Sequence, residues 1–218
     1  VVPLEGHIPP PPGAITDTPY LPVAGPMARS AGDLLLELQV LAGPSGVDPV
    51  AYRWRLPAAR GSRLQDYRIG YVIDDPFCPV GSDVKAVTSR AVEALRKAGV
   101  DLVEGWPKGY NAREGWDTYF LLLAAAIGLD LREDQLKPLR EAAGKPWESY
   151  AKAWLDGATM PHRRFVALSE ARLKARAVWQ EYFSTHDAFL LPVNIVPAVP
   201  HAHKLSFKHP KTGEMVEI

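Results

Sequence analysis

The 218-residue sequence contains a single cysteine, Cys78, so no internal disulfide can form and no zinc site can be built on clustered thiolates. It also lacks an excess of charge of either sign. The 25 Lys plus Arg balance the 25 Asp plus Glu, which leaves no net field to hold a polyanion by counterion release, and nucleic acid is not an expected partner. Long apolar runs are missing too. The segments "YFLLLAAAIGL" (119–129) and "DAFLLPVNIVPAVP" (187–200) fall short of the roughly 18 residues a membrane span needs, and prolines interrupt the second, so no membrane partner is expected. Neither end carries a signal-peptide pattern. With one thiol and no such pattern, the expected location is the cytoplasm. There is no GxGxxG, P-loop or HExxH motif and no internal repeat, and no cofactor is expected.

What is present is the composition of an ordinary globular chain, 47% hydrophobic and 23% charged. A chain of this length can bury roughly 70% of its unfolded surface. It opens on Val1 and stops at Ile218 within a strand-like run, and the expectation is a fragment truncated at both ends. The expected fold class is α/β, a mixed sheet flanked by helices.

Residues 1–30 hold eight prolines, including Pro9 to Pro12, which favours an extended segment. Residues 31–110 read as a helix-strand-helix-strand unit. Ser30 and Asp33 form a capping pair ahead of Leu34, Leu35, Leu38 and Leu41 at helical spacing, with Gly43 and Pro44 as the stop. No histidine or lysine lies nearby in sequence to serve Ser30 as a base, so it is read as a cap and not as a nucleophile. "YRIGYVIDD" (67–75) reads as a buried strand. Ser82 and Asp83 open a helix whose apolar stripe is Val84, Val87, Ala91, Leu95 and Ala98, ended by Gly99. "VDLVE" (100–104) follows as a second strand, and the spacing predicts a crossover joining two parallel strands.

Residues 111–186 read as a helical covering region. Its helices are expected at 112–128, at 131–142 with Asp130 and Glu133 as the capping pair, at 147–156, and from Pro161 to Thr185. Residues 187–218 read as a third buried strand, "DAFLLPV", and a polar hairpin turning near Lys211 to Gly213.

Asp74 and Asp75 fall at the carboxyl end of a predicted parallel strand, where open α/β sheets place ligands. Neighbours on a strand point to opposite faces, so a turn role is favoured over a shared-proton dyad. His201, His203 and His209 crowd the C-terminal segment, but no third ligand with a supporting shell is visible and no metal site is assigned. Cys78, between Phe77 and Pro79 with no activating base in view, reads as a buried, inert thiol. Trp116, Tyr119 and Phe120 read as core.

Taken together, "VPLEGHIPPPPGA", "LPVAGPMARSAGDLLLELQVLAGPSGVDP", "YRIGYVIDDPFCPV" and "FLLPVNIVPAVPHAH" resemble the amidase signature family, serine hydrolases that cleave carboxamides. The resemblance covers residues 1–203. Its most specific piece runs from Gly25-Pro26-Met27-Ala28-Arg29-Ser30 through Asp33 to Leu41-Ala42-Gly43. Pro192, Pro197 and Pro200 in the strand-to-loop segment are the second.

The resemblance implies a nucleophilic serine, a second serine on a cis peptide and a lysine base whose charged form is disfavoured by its surroundings. No Gly-Ser-Ser or Gly-Gly-Ser occurs in the chain, so no residue matches a triad position and none is assigned as catalytic. The chain alone is expected to be inactive. Completing the fold is expected to require the remainder of the same polypeptide or a second subunit. By resemblance, "LDGATM" (155–160) and "NIVPA" (194–198) approach the substrate, which singles out Thr159, Met160, Asn194 and Ile195 as pocket residues. Relatives that act as glutaminase subunits carry an arginine-rich stretch where this chain has "AKAWLDG", which argues against glutamine as the amide. The alternative reading is a non-catalytic α/β module that binds a small molecule.

Overall fold

A computed structural model describes residue 8, residue 21 and residues 23–44, 53–128, 131–144, 149–198, 206–208 and 215–217. The predicted Asp130 cap, the histidines at 201, 203 and 209, the hairpin tip and most of the proline-rich opening lie outside these residues. The fold class is α/β, as expected. The chain divides into two compact units, Val1–Ser62 with Pro107–Tyr182, and Arg63–Trp106 with Phe183–Ile218.

The first unit is helical. Helix α1, Ala31–Leu41, begins where Ser30 leaves the helical conformation and its hydroxyl accepts a hydrogen bond from the Asp33 amide at 3.1 Å. That satisfies one of the free amides of the first turn. Ala42 closes the helix just before Gly43 and Pro44. Of its apolar residues only Leu38 is buried, and Val40 is 75% exposed.

Four more helices complete the unit: α3, Ala112–Ile127; α4, Glu133–Ala143; α5, Ser149–Ala158; and α6, His162–Tyr182. Here α5 packs on both α3 and α4, and α6 packs on α3. The buried hydrophobic residues of these helices, among those described, are Phe120, Leu122, Ala124 and Ala151. A glycine inside a helix costs about 1 kcal/mol relative to alanine, and Gly157 is used in α5 because the backbones come so close there. A Cβ at Gly157 would run into the Ala124 side chain and lie 2.9 Å from the Leu121 carbonyl oxygen.

This unit departs from the sequence expectation in two places. Trp116 and Tyr119 are about half exposed, at 51% and 48%, and only Phe120 of that trio is core. Phe120 anchors an aromatic cluster, with Tyr150 at 5.2 Å and Trp154 edge-on at 5.7 Å, and Trp116 stacks on its outer side at 5.8 Å. Helix α4 is capped not through Glu133 but two residues later in the chain. Its first turn is closed by Gln135, whose side-chain oxygen accepts from the Arg132 amide at 3.0 Å, leaving Glu133 and Asp134 to complement the positive end of the helix dipole.

The second unit is built on a parallel sheet. Strands β1, Arg68–Tyr71, β2, Asp101–Glu104, and β3, Ala188–Leu190, are arranged in the order β2-β1-β3, and both pairings are parallel. In register, Ile69 lies between Leu102 and Ala188, and Gly70 between Val103 and Phe189. Helix α2, Ser82–Lys97, makes the crossover from β1 to β2 and ends at Gly99, whose positive φ of 83° suits a residue without a side chain. Strands β4, Ser206–Lys208, and β5, Met215–Glu217, pair antiparallel with Phe207 in register with Val216, and a single antiparallel bridge joins Asp75 and Cys78.

The inner face of α2 is not the predicted stripe. Val87, Ala91 and Ala98 are exposed, and the row Val84, Thr88, Val92 and Leu95 turns inward, with Val92 buried. Thr88 can join that row because its hydroxyl donates to the Val84 carbonyl at 2.9 Å and so carries its own hydrogen bond inward.

Two stability outcomes follow from these contacts. Ser30→Ala is expected to lower stability by about 1 kcal/mol, read as a fall in denaturation midpoint with unchanged m-value. Gly157→Ala is expected to destabilise by about 1–3 kcal/mol through overpacking against α3, despite its gain in helix propensity. A more stable Gly157→Ala variant would rule out so close an approach of the two helices.

Candidate functional site

In an open parallel sheet the carboxyl ends of the strands are the place where side chains converge on a ligand, so the site is built from there. Strand β1 stops earlier than its sequence suggests. The Val72 amide still donates to the Leu190 carbonyl at 3.0 Å, but Asp74 and Asp75 then turn the chain out of the sheet. Asp75 accepts from the Phe77 amide at 2.8 Å through one carboxylate oxygen and from the indole nitrogen of Trp106 at 2.8 Å through the other. Its carbonyl also accepts from the Cys78 amide at 3.0 Å.

Trp106 enters this position just beyond β2, after Gly105, whose φ of 111° excludes most other residues. Its ring stacks on Phe189 of β3 at 5.4 Å. One carboxylate thus gathers the ends of all three strands.

Asp74 faces other partners. One oxygen accepts from the Val80 amide at 2.8 Å, and the other from the ammonium of Lys85, one turn into α2. The Lys85 hydrogen bond, followed by that of Val80, holds the Asp74 carboxyl below the usual carboxylate range. Both aspartates are therefore committed to the turn, on different partners, and they do not form a proton-sharing dyad.

Beside them, the Tyr71 hydroxyl donates to Glu104 at 3.2 Å and accepts from Arg96 at 3.3 Å, and Arg96 also pairs with Glu93 at 2.6 Å. The segment beyond β3 is fixed to the start of α2 by the Gly81 amide, which donates to the Ile195 carbonyl at 2.8 Å. A Cβ at Gly81 would meet that oxygen at 3.0 Å, so the glycine permits the approach.

The helical unit holds a separate recess between α3 and α6, with a cavity volume of about 190 Å³. Asn111 caps α3 by accepting from the Glu114 amide at 3.1 Å, which sets Tyr110, Glu114 and Thr118 along one wall, with Lys174 and Val178 opposite. Burial pushes the Tyr110 phenol above its ordinary value, against a smaller opposing effect of its hydrogen bond with Trp179.

A family model described as Amidase matches residues 3–216. The chain belongs to the amidase family. The crystal structure of a bacterial aryl acylamidase of the amidase signature enzymes superposes with a TM-score of 0.61 at 19% identity, covering 93% of this chain and 44% of that one. A 6-aminohexanoate cyclic dimer hydrolase complexed with substrate superposes at a TM-score of 0.46 and 18% identity, covering 73% of this chain and 34% of that one. No curated protein sequence matches. The chain thus spans less than half the length of either solved structure.

Within this amidase chain the pocket residues named from sequence fall into two places. Thr159 and Met160 close α5: the Thr159 hydroxyl donates to the Leu155 carbonyl at 2.7 Å and the Met160 amide to the Gly157 carbonyl at 3.1 Å. Asn194 and Ile195 belong to the sheet unit, beyond β3, where the Asn194 side-chain oxygen accepts from the Ile195 amide at 2.8 Å. Cys78, expected to be buried, is exposed in the turn after β1, because the Asp75 hydrogen bonds fold that turn away from the sheet. Lys85 and Trp106 were not singled out in the sequence. The signal for Lys85 was its place one turn into the helix that follows two adjacent aspartates. Among the described residues no group of three or more His, Cys, Asp or Glu is placed to hold a metal ion, and no helix is long and apolar enough to cross a membrane.

The lowered Asp74 value has a definite sign. A carboxyl depressed in the folded state adds stability above its unfolded value of about 3.9, and that contribution is lost as pH falls through the folded value. Lys85→Met is expected to move the Asp74 midpoint up toward the ordinary range, as read by carboxyl carbon NMR through an acid titration. An unchanged midpoint would assign the effect to the Val80 amide alone.

Proposed function

We propose that this chain is the sheet, helical cover and part of the cleft wall of an amide hydrolase. In this reading the serine nucleophile, the bridging serine and the lysine base lie in polypeptide other than these 218 residues. The observation that carries the reading is the family match over residues 3–216 of a chain that contains no Gly-Ser-Ser or Gly-Gly-Ser.

The reaction is the cleavage of a carboxamide C–N bond. The serine oxygen adds to the carbonyl carbon as its proton passes through the second serine to a neutral lysine. The tetrahedral intermediate expels the amine, which takes that proton, and water then hydrolyses the acyl-serine. Backbone amides stabilise the oxyanion, and the chemistry calls for no cofactor. Thr159, Met160, Asn194 and Ile195 are proposed to approach the substrate from this part of the enzyme.

Exposed apolar residues support the need for further polypeptide. On α1, Leu35, Leu36, Val40 and Leu41 are all exposed, and Met27 ahead of it is 89% exposed. Residues of this kind are usually covered in a finished fold or at an interface. The remainder of the same polypeptide or a second subunit would provide that cover. A lone exposed thiol fits the reducing cytoplasm, where we place the enzyme.

The test uses the 218-residue chain itself. Hydrolysis of an aryl amide or ester is expected to be undetectable, and intact mass after treatment with a fluorophosphonate is expected to show no adduct. A covalent adduct on a serine, with turnover that survives repurification, would overturn the proposal.

A further inference from the structure

The recess between α3 and α6 carries charge of both signs that the fold leaves largely unused. Glu114, at the third position of α3, gives its backbone amide to Asn111, and its carboxylate receives only a long contact from the Asn111 side-chain nitrogen at 3.3 Å. Lys174, on α6, makes no ion pair and no side-chain hydrogen bond among the described residues. The two line the same recess without pairing with each other. Thr118, one turn beyond Glu114, has a hydroxyl that also makes no hydrogen bond among the described residues.

The shape is set by small residues and one aromatic ring. A Cβ at Gly115 would lie 2.8 Å from the ring carbon of Tyr110 that carries the hydroxyl, so the glycine lets the phenol rest directly on the α3 backbone. Trp179 holds that ring edge-on from α6 at 5.2 Å. Ala171, Ala175 and Val178 give the α6 side a short apolar surface.

We propose that this recess binds a small zwitterion of the amino-acid class, its ammonium toward Glu114 and its carboxylate toward Lys174. A lone anion would meet Glu114 and a lone cation would meet Lys174, so a ligand with one charge gains one contact and meets one repulsion. A ligand carrying both gains at each end. The volume sets the size limit: 190 Å³ is about six waters at roughly 30 Å³ each, and is smaller than the roughly 300 Å³ at which sites for drug-sized ligands begin. The apolar surface of Ala171, Ala175 and Val178 suits a short aliphatic side chain. This binding site is independent of the amide-cleaving reading.

The experiment titrates the chain with L-alanine and L-valine, and with propionate and propylamine as single-charge analogues, following amide NMR shifts. Saturable binding of the two amino acids is expected, with shifts concentrated on α3 and α6 and with each analogue weaker. Glu114→Gln and Lys174→Ala are expected to weaken binding by about tenfold each, as for the loss of one charge-assisted hydrogen bond. Both side chains are exposed, and circular dichroism checks that each variant keeps its helix content. Absence of saturable amino-acid binding, equal binding of either analogue, or binding unchanged by both substitutions in folded protein would each overturn the proposal.

Discussion

The carboxylate of Asp75 accepts from the Phe77 amide and from the indole of Trp106, and the indole lies on Phe189. A hydrogen bond to a charged group contributes about 1.5–3 kcal/mol, roughly twice a neutral one, and these two, with the indole stacked on Phe189, reach three different strands. They also determine where each strand ends. β1 cannot run on past the point where its chain must turn back to offer the Phe77 amide. β2 must pass through the positive φ of Gly105 to bring Trp106 into place. The placement of β3 follows from the ring that packs against that indole. Because the turn is closed, Asp74 points toward α2, where Lys85 and the Val80 amide meet it. The start of α2 is in turn held by the Gly81 amide on the Ile195 carbonyl.

The elements legible in the sequence are those with local causes. Ser30 caps α1 because a hydroxyl three residues before a free amide can reach it without help from the rest of the chain, and Gly99 ends α2 because only a residue without a side chain takes its φ cheaply. The parallel β1-α2-β2 crossover was legible from two short β-branched runs separated by one helix. The failures are of the opposite kind. The inner face of α2 departs from the expected stripe because Thr88, its hydroxyl bonded to the Val84 carbonyl, and the buried Val92 turn inward in place of Val87 and Ala91. Trp116 was read as core because aromatic rings usually are, yet one ring, Phe120, fills the space between α3 and α5 and Trp116 lies outside it. Cys78 was read as buried from its apolar neighbours, but those neighbours sit in a turn that Asp75 folds outward. Of the candidate site, the turn role of Asp74 and Asp75 was legible. The partners Lys85 and Trp106, 11 and 31 residues away, were not, since a pairing across a sheet edge leaves no periodic trace.

The helical unit shows how little apolar surface these helices hide within the described chain. Close approach at Gly157, where α5 meets Ala124 and the Leu121 carbonyl, gives α3 and α5 a tight interface, and Leu122 and Ala124 are fully buried there. By contrast α1 has five leucines among its 11 residues and buries one of them, Leu38. At about 25 cal/mol per Å² of apolar surface removed from water, a helix with that composition gains little from standing alone. Its stability as described rests on the Ser30 cap and on backbone hydrogen bonds, which are marginal for a short helix in water. Sequence and exposure thus agree that α1 presents an apolar surface among the described residues.

The displaced protonation equilibria bear on what the described residues can do chemically. General acid–base catalysis works best with a group whose pKa lies near the working pH. Among the described residues three groups are displaced from their ordinary values, and each moves away from neutrality: Asp74 downward through Lys85, Arg96 upward through its hydrogen bond to Glu93, and Tyr110 upward through burial. Such shifts make a charge state more constant. Asp74 stays an anion and Arg96 a cation, and these fixed charges hold the turn and the β1 to β2 edge in one geometry. Tyr110 stays a neutral phenol in the wall of its recess. An amide hydrolase needs the reverse at its lysine, a cation made easier to deprotonate by desolvation or by neighbouring positive charge. The Lys85 ammonium is engaged instead with the Asp74 carboxylate. Of the three displaced groups, Asp74 and Arg96 therefore act as scaffold at the sheet edge, and none has a charge state poised to change near neutral pH.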